Sequence, residues 1–425
     1  MGKKKSTKST KLLSRRNLKK TTKIGIIVFI IIAIIGIILG VVFGVIIPNQ
    51  KTSRAAAVEA AAVEAAAVEA AAVEAKVGNY WDTMDTNITN VVIPDYVREI
   101  PDNAFKDFTS LKSVTILYGV THIRSSAFYW CTSLAHVVIP SSVTSIGDFA
   151  FYGCRSLVRL VIPSSVTSIG EGAFDGCSSL ERVTIPDSVT SIRINAFRRC
   201  TSLAMLAIPS SVTSIGDGAF AVCSSLKDLK IPSSVTSIGE EAFSRCFSLT
   251  YITIPSSVTS IGNYAFYECT SLASLSIPSA VTSIGSGAFR ECSSLTDITI
   301  PSVTSIGNSA FYQCTSLKHL VIPSSVTSIG AYAFFECSSL ASLVIPSSVI
   351  HIGYDAFFGC RSLASLTIED IDKIKSIGDQ AFANCNLNKV TIKGTDYTKC
   401  NAIITAHPII TPTVFQGNNR LENCD

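Results

Sequence analysis

Apolar and polar residues alternate in a short phrase that recurs along most of the chain. In Leu226-Lys227-Asp228-Leu229-Lys230-Ile231-Pro232, Leu229 and Ile231 are apolar and flank Lys230. A two-residue period predicts a strand with one buried face. Leu226 enters the core just before it, and Pro232 ends it because proline has no N–H for a ladder. A second extended piece, Ser234 to Ile238, turns Val235 and Ile238 inward. Gly239 allows a turn. Ala242 and Phe243 then supply a small and a large core group from an expected short helical turn, and Cys246 follows three residues later.

The Ala-Phe pair marks the period. Phe105, Phe128, Phe151, Phe174, Phe197, Phe220, Phe243, Phe266 and Phe289 are 23 residues apart. Phe311 follows after 22, Phe334 and Phe357 after 23, and Phe382 after 25. A fixed period of this size predicts stacked units that share one continuous core, because a single unit has too few inward residues to fold alone. Each Phe is expected to pack on the Phe before and after it. The slips in length fall in loops: Ile300-Pro301-Ser302-Val303 lacks one Ser, and Glu369 to Ile374 carries two extra residues.

The pattern Leu-x-x-Leu-x-Ile-Pro, then Val-x-x-Ile-Gly-x-x-Ala-Phe-x-x-Cys, resembles the 23-residue leucine-rich repeats of BspA-like surface proteins. The resemblance covers about residues 91–392 with thirteen Ala-Phe beats. It implies an α/β leucine-rich-repeat solenoid, with parallel strands and short helical turns. It also implies a role in adhesion or protein binding at cell surfaces.

The N-terminal quarter departs from that pattern. Residues 1–23 hold ten Lys/Arg and no acid, and cannot build a core. Ile24 to Ile47 is 24 residues without a charge, enough for one transmembrane helix. The basic flank before it outweighs Lys51 and Arg54 after it, so the N-terminus is expected in the cytoplasm and the repeats outside or in a lumen. Gly36, Gly40 and Gly44 sit four apart within the span. That spacing opens a helix face for close approach of a second copy, as against the general abundance of Gly in membrane helices. Residues 48–76 form a stalk in which Ala-Ala-Ala-Val-Glu is repeated. Ala and Glu favour helix, but a five-residue step spirals Glu59, Glu64, Glu69 and Glu74 around it. A semi-rigid helical spacer and a disordered spacer both remain open. Residues 77–392 form the solenoid, and 393–425 a cap and loose tail. Asn87-Ile88-Thr89 is a glycosylation sequon if this domain is lumenal or external.

Twelve of fourteen cysteines, Cys131 to Cys385, share one repeat position, which Phe108 fills in the first full repeat. A position that Phe can fill is a core position, so buried reduced thiols are expected there, with a disulfide framework as the rival. Cys400 and Cys424 lie outside the repeat and are free to pair with each other. There is no CxxC, and the five histidines are scattered, so no metal or cofactor is expected. No Walker loop, GxSxG or HExxH occurs, and no enzymatic activity is expected. From residue 77 on there are 22 basic and 27 acidic residues, a balance that argues against nucleic acid as a partner.

Two surfaces vary between repeats. The outward strand positions are weakly basic: Lys112, His136, Arg159, Arg182, Lys227, Lys230, Lys318 and His319 against Glu181, Asp228 and Asp297. The turn surface is richer in aromatics. Tyr264, Tyr267, Tyr312, Tyr332, Phe335, Tyr354 and Phe358 are expected to form a run along its C-terminal half, either as a contact patch or as lateral packing. A threonine column, Thr144 to Thr327, offers one hydroxyl per repeat. The resulting expectation is a type II single-pass membrane protein whose solenoid binds a protein or surface polymer. A coat or scaffold component without a specific ligand is the alternative.

Overall fold

A computed structural model describes residues 50–82, 84–300, 302–396, 413–416 and 419–422. The predicted span, its glycines Gly36, Gly40 and Gly44, and Cys400 and Cys424 lie outside these residues. Among the described residues no helix is long and apolar enough to cross a membrane. The chain divides into two units, Met1–Lys76 and Val77–Asp425.

The Ala-Val-Glu stretch is helical, within α1, Gln50–Asp82. Val63 and Val68 are 66% and 54% exposed, as the five-residue step predicts: no apolar stripe forms. In the second unit, the last turn of α1 caps the repeats. Trp81 meets Phe105 edge-on at 5.6 Å, and the Tyr80 hydroxyl donates to the Val92 carbonyl at 2.9 Å.

The repeats lay down a longer and a shorter strand, and copies of each pair in parallel, in register, the longer ones in five groups and reduced to a bridge at His319. In the longer series Asp228–Lys230 pairs with Tyr251–Thr253, placing Leu229 beside Ile252. In the shorter series Ser214–Ile215 pairs with Ser237–Ile238. The inward residues of both are buried, and the phenylalanines run between them in single file. Twelve successive pairs, Phe105–Phe128 to Phe357–Phe382, stack at 5.0–5.6 Å and 1–13°. The short step to Phe311 and the long step to Phe382 leave the file unbroken, at 5.4 and 5.2 Å. Beyond Ile392 two further strands, Thr413–Gln416 and Asn419–Glu422, continue the sheet.

The third side of each repeat differs from the expected short helical turn. Around Phe243, Ala242 N–H donates to Gly239 O and Cys246 N–H to Phe243 O, each closing a four-residue reverse turn. Their third residues, Glu241 and Arg245, have φ of +52° and +58°. This is the sign a type II turn places there, and it ends any helix. The same two positions are left-handed in every repeat; twenty carry a side chain and six are glycine. What holds them is the next repeat. Glu241, Phe243 and Arg245 donate their N–H groups forward to Asn263, Ala265 and Tyr267 carbonyls at 2.9, 2.8 and 2.6 Å. Bonds on both edges over-determine a backbone that costs an L-residue about 1–2 kcal/mol on its own.

The glycine before this turn is a close-approach position. A Cβ on Gly239 would stand 2.6 Å from the Asp217 backbone nitrogen, so neighbouring turns could not close up. Arg193 occupies this position in one interior repeat, and there the shorter ladder breaks. Ser145–Ile146 pairs with Ser168–Ile169, and Ser191–Ile192 with Ser214–Ile215, but no pairing joins the two groups. Arg193 instead reaches back two repeats to Asp148 at 3.0 Å. Arg124 fills the same position above the terminal turn, where its N–H still meets Ile100 O at 3.0 Å. A terminal turn is held on one side only and can give way.

Candidate functional site

The residue after each Phe sits at the turn edge, buried at Asp175, Ala221 and Ser244 and partly or fully exposed in the other repeats. In the C-terminal half these side chains stack like the Phe file beneath them. Tyr312 lies on Phe335 at 4.8 Å and 3°, and Phe335 on Phe358 at 5.0 Å and 6°. Arg290 holds the equivalent place one repeat earlier. Its guanidinium sits 4.3 Å from the Tyr312 centroid and 5.8 Å from that of Tyr267. Arg245 covers Tyr267 from the other side at 5.5 Å. Tyr264 meets Tyr267 edge-on at 6.0 Å. Tyr332 leans on Phe335 at 5.8 Å and meets Tyr354 edge-on at 5.4 Å. The structure thus brings all seven sequence-predicted aromatics into one connected edge, with Arg245 and Arg290 as links the sequence reading missed.

This packing decides what the edge offers. The faces of Tyr312, Phe335 and Phe358 are turned to stacked neighbours, whereas Tyr264, Tyr332 and Tyr354 meet theirs edge-on or tilted. Tyr332 and Tyr354 are the most exposed, at 37% and 41%; the other five are half-buried. Partial burial and the nearby Glu268 raise the Tyr267 phenol above its ordinary range. The Asp355 charge does the same to Tyr354. Tyr267 and Tyr354 therefore stay protonated at neutral pH.

Asp355 itself lies beneath this edge. It is buried and left-handed, at φ +50°, and its Oδ1 has no hydrogen-bond partner. Desolvation raises its carboxyl above the usual carboxylate range.

A smaller cluster occupies the N-terminal half at the same repeat position. Tyr129 stacks on Tyr152 at 4.7 Å, and Lys106 lies 5.1 Å from the Tyr129 centroid. Arg199 pairs twice with buried Asp175, at 2.8 and 2.9 Å, and donates to the Tyr152 hydroxyl at 2.9 Å. The sequence signal was available: Tyr129 and Tyr152 follow Phe128 and Phe151 directly.

The remaining candidates fall as follows. All eleven outward strand residues named above are exposed. Asn87 sits exposed in a turn, its side-chain amide donating to Asp85 at 3.2 Å. Seven of the nine threonine hydroxyls donate to the carbonyl of the preceding repeat, Thr144 to Thr121 O at 3.1 Å and Thr213 to Thr190 O at 3.2 Å among them. The twelve repeat cysteines are free and buried. Each thiol donates to the carbonyl of a Phe in the preceding repeat, Cys131 to Phe105 at 3.0 Å and Cys246 to Phe220 at 3.4 Å among them. Burial pushes the Cys246 and Cys292 thiols up to about 12. These are inert core groups. Among the described residues no group of three His, Cys, Asp or Glu could hold a metal ion.

Comparison with known proteins agrees with this geometry. A search of curated proteins found no match. Among solved structures, a leucine-rich repeat protein from Bacteroides ovatus is 28% identical with a TM-score of 0.65, over 78% of this chain and 94% of that one. A leucine-rich cell surface protein from Faecalibacterium prausnitzii is 33% identical with a TM-score of 0.45, over 74% and 82%. The model of the BspA type leucine-rich repeat region matches residues 83–204, 190–306 and 282–403. The chain belongs to the BspA-type leucine-rich repeat family.

Proposed function

We propose that this chain is a membrane-anchored binding protein, held by one N-terminal helix and displaying its repeats outside the cell or in a lumen. It binds a protein or surface polymer through the aromatic turn edge and has no catalytic role. The uncharged 24-residue stretch and its basic flank support the anchor and its orientation. The observation that carries the binding role is the edge itself. Seven aromatic side chains from four repeats, bridged by Arg290 from a fifth, form one connected strip, with Tyr332 and Tyr354 turned most to solvent. Large rings held by neighbouring rings lose little entropy on contact and make strong anchors. Membership of a family that includes surface proteins is consistent with this reading.

The test is adhesion of cells displaying the protein, or capture of an identified partner, with Tyr332→Ser and Tyr354→Ser. Ser309 stands in the Tyr332 position one repeat earlier, so the fold accepts it. The double variant is expected to lose at least about tenfold in binding, as two truncated anchors would. Full retention would remove the edge from the account.

A further inference from the structure

The strand face carries a second feature, remote in character from the aromatic edge. A groove of ≈ 640 Å³ crosses five consecutive repeats in the N-terminal half. Ser202, Ser225 and Ser248 line it, one from each of three successive turns. Arg159, Arg182 and Lys227 flank it, and Glu181 is its one acid. Arg159 and Arg182 face each other in register on paired parallel strands. Neighbouring strands lie about 4.8 Å apart, and like charges placed directly opposite destabilise a sheet. The usual remedy is an interleaved carboxylate, yet none of the described ion pairs includes Arg159, Arg182 or Lys227. Elsewhere the same strand position varies, with serine at Ser113, Ser274, Ser342 and Ser365 and aspartate at Asp228 and Asp297; two adjacent arginines occur there only at Arg159 and Arg182 among the described pairs. The domain as a whole has more acids than bases, so this concentration of unpaired positive charge is local.

We propose that this groove binds an anionic polysaccharide, one bearing carboxylate or sulfate groups along its chain. Cations one strand apart, along a trough that runs with the repeat axis, match a linear polymer with regularly spaced anions. Small hydroxyl side chains on the walls suit a hydroxyl-rich ligand. An acidic protein segment fits less well. Protein contacts concentrate in aromatic and apolar anchors set in pockets, and Met205 is the one large apolar side chain here. The inference does not depend on the aromatic edge, and either can fail alone.

The test uses the full chain in detergent, with the ten tail cations between Lys3 and Lys23 replaced by Gln so that they cannot capture polyanions. Binding to polygalacturonate and to dextran sulfate is measured against neutral dextran and poly-L-glutamate. Arg159→Ser/Arg182→Ser is compared with Lys389→Ser/Lys393→Ser, which removes the same charge at the far end of the repeats. Circular dichroism confirms that both fold. The expected result is binding of one or both acidic polysaccharides but not of neutral dextran. The arginine variant should weaken it at least about tenfold, as loss of two charge-assisted contacts would, with little change in the lysine variant. Three results would overturn the proposal: no polysaccharide bound, equal losses in both variants, or poly-L-glutamate bound as tightly as the polysaccharides. The last would assign the groove to acidic protein segments.

Discussion

The Tyr264 ring lies across the space that a side chain at Gly287 would need. A Cβ there would stand 3.1 Å from Cζ and nearer still to Cδ1 and Cε1, and Gly287 has φ +62°. The two residues occupy the same place in successive repeats. Phe149 stands in the same relation to Gly172. A large ring at this position therefore favours glycine one repeat later. Gly287→Ala is expected to cost about 2 kcal/mol, part from the left-handed backbone and part from the collision. Tyr264→Ser should recover the second part, so a double-mutant cycle by urea denaturation should show coupling of about 1 kcal/mol. Additive effects would mean that the ring simply swings aside.

Tyr332 breaks that rule, because Asp355 rather than glycine follows it. The result is the buried carboxyl with an unpartnered oxygen. Its folded-state pKa is raised, so its contribution is most favourable below the unfolded Asp pKa and is lost as pH rises through the folded value. Asp355→Asn removes the charge and suits the left-handed backbone. It should stabilise the protein at pH 7 by about 1 kcal/mol, with the gain shrinking toward pH 3. Thermal melts across that range read it directly.

The cysteine column makes a second pH prediction of the same sign. Burial raises the folded-state pKa of the repeat thiols from Cys131 to Cys360, to about 12 for Cys131, Cys246 and Cys292. Their stabilising contribution is complete below the unfolded thiol value, near about 8.5, and falls above it by about 1.4 kcal/mol per pH unit for each thiol. Melting temperature should therefore drop steeply between pH 9 and 11. Cys246→Ala together with Cys269→Ala should make that drop shallower. Ellman's reagent should leave the repeat thiols unlabelled in the folded protein and label them all in guanidinium.

The Phe file predicts a different kind of loss. Phe243→Ala leaves a cavity between Phe220 and Phe266, each stacked on Phe243 at 5.6 and 5.5 Å. The cost should be about 3–5 kcal/mol. The stacking of Phe243 runs only to the adjacent repeats, so the loss should divide unfolding into two transitions. A single transition with the full loss would show that cooperativity crosses the gap.

How much of this was legible beforehand depends on where each residue gets its instructions. Leu229, Ile231, Val235, Ile238 and Phe243 carry their burial in their own chemistry and spacing, and all five are buried. The parallel register follows from the constant period. The left-handed turns were not legible. Ten of those positions hold Glu, Arg, Tyr or Ser, whose local preference gives no sign of positive φ; the neighbouring repeat imposes it through forward hydrogen bonds. The seven aromatics were found because they recur in sequence. Arg245 and Arg290 were not, since a guanidinium over a ring is visible only once successive repeats are superimposed. Arg193 could have been marked, as the one interior residue that replaces a close-approach glycine. Arg193→Gly is expected to join the two groups of the shorter ladder, seen as slower amide exchange at Thr190.

All of these surfaces can serve recognition only if the repeats face outward. Protease protection on intact cells carrying an N-terminal tag tests this most directly. The account predicts that external trypsin removes the repeat domain while the tag survives until the membrane is opened. A tag cleaved on intact cells, with the repeats protected, would contradict it.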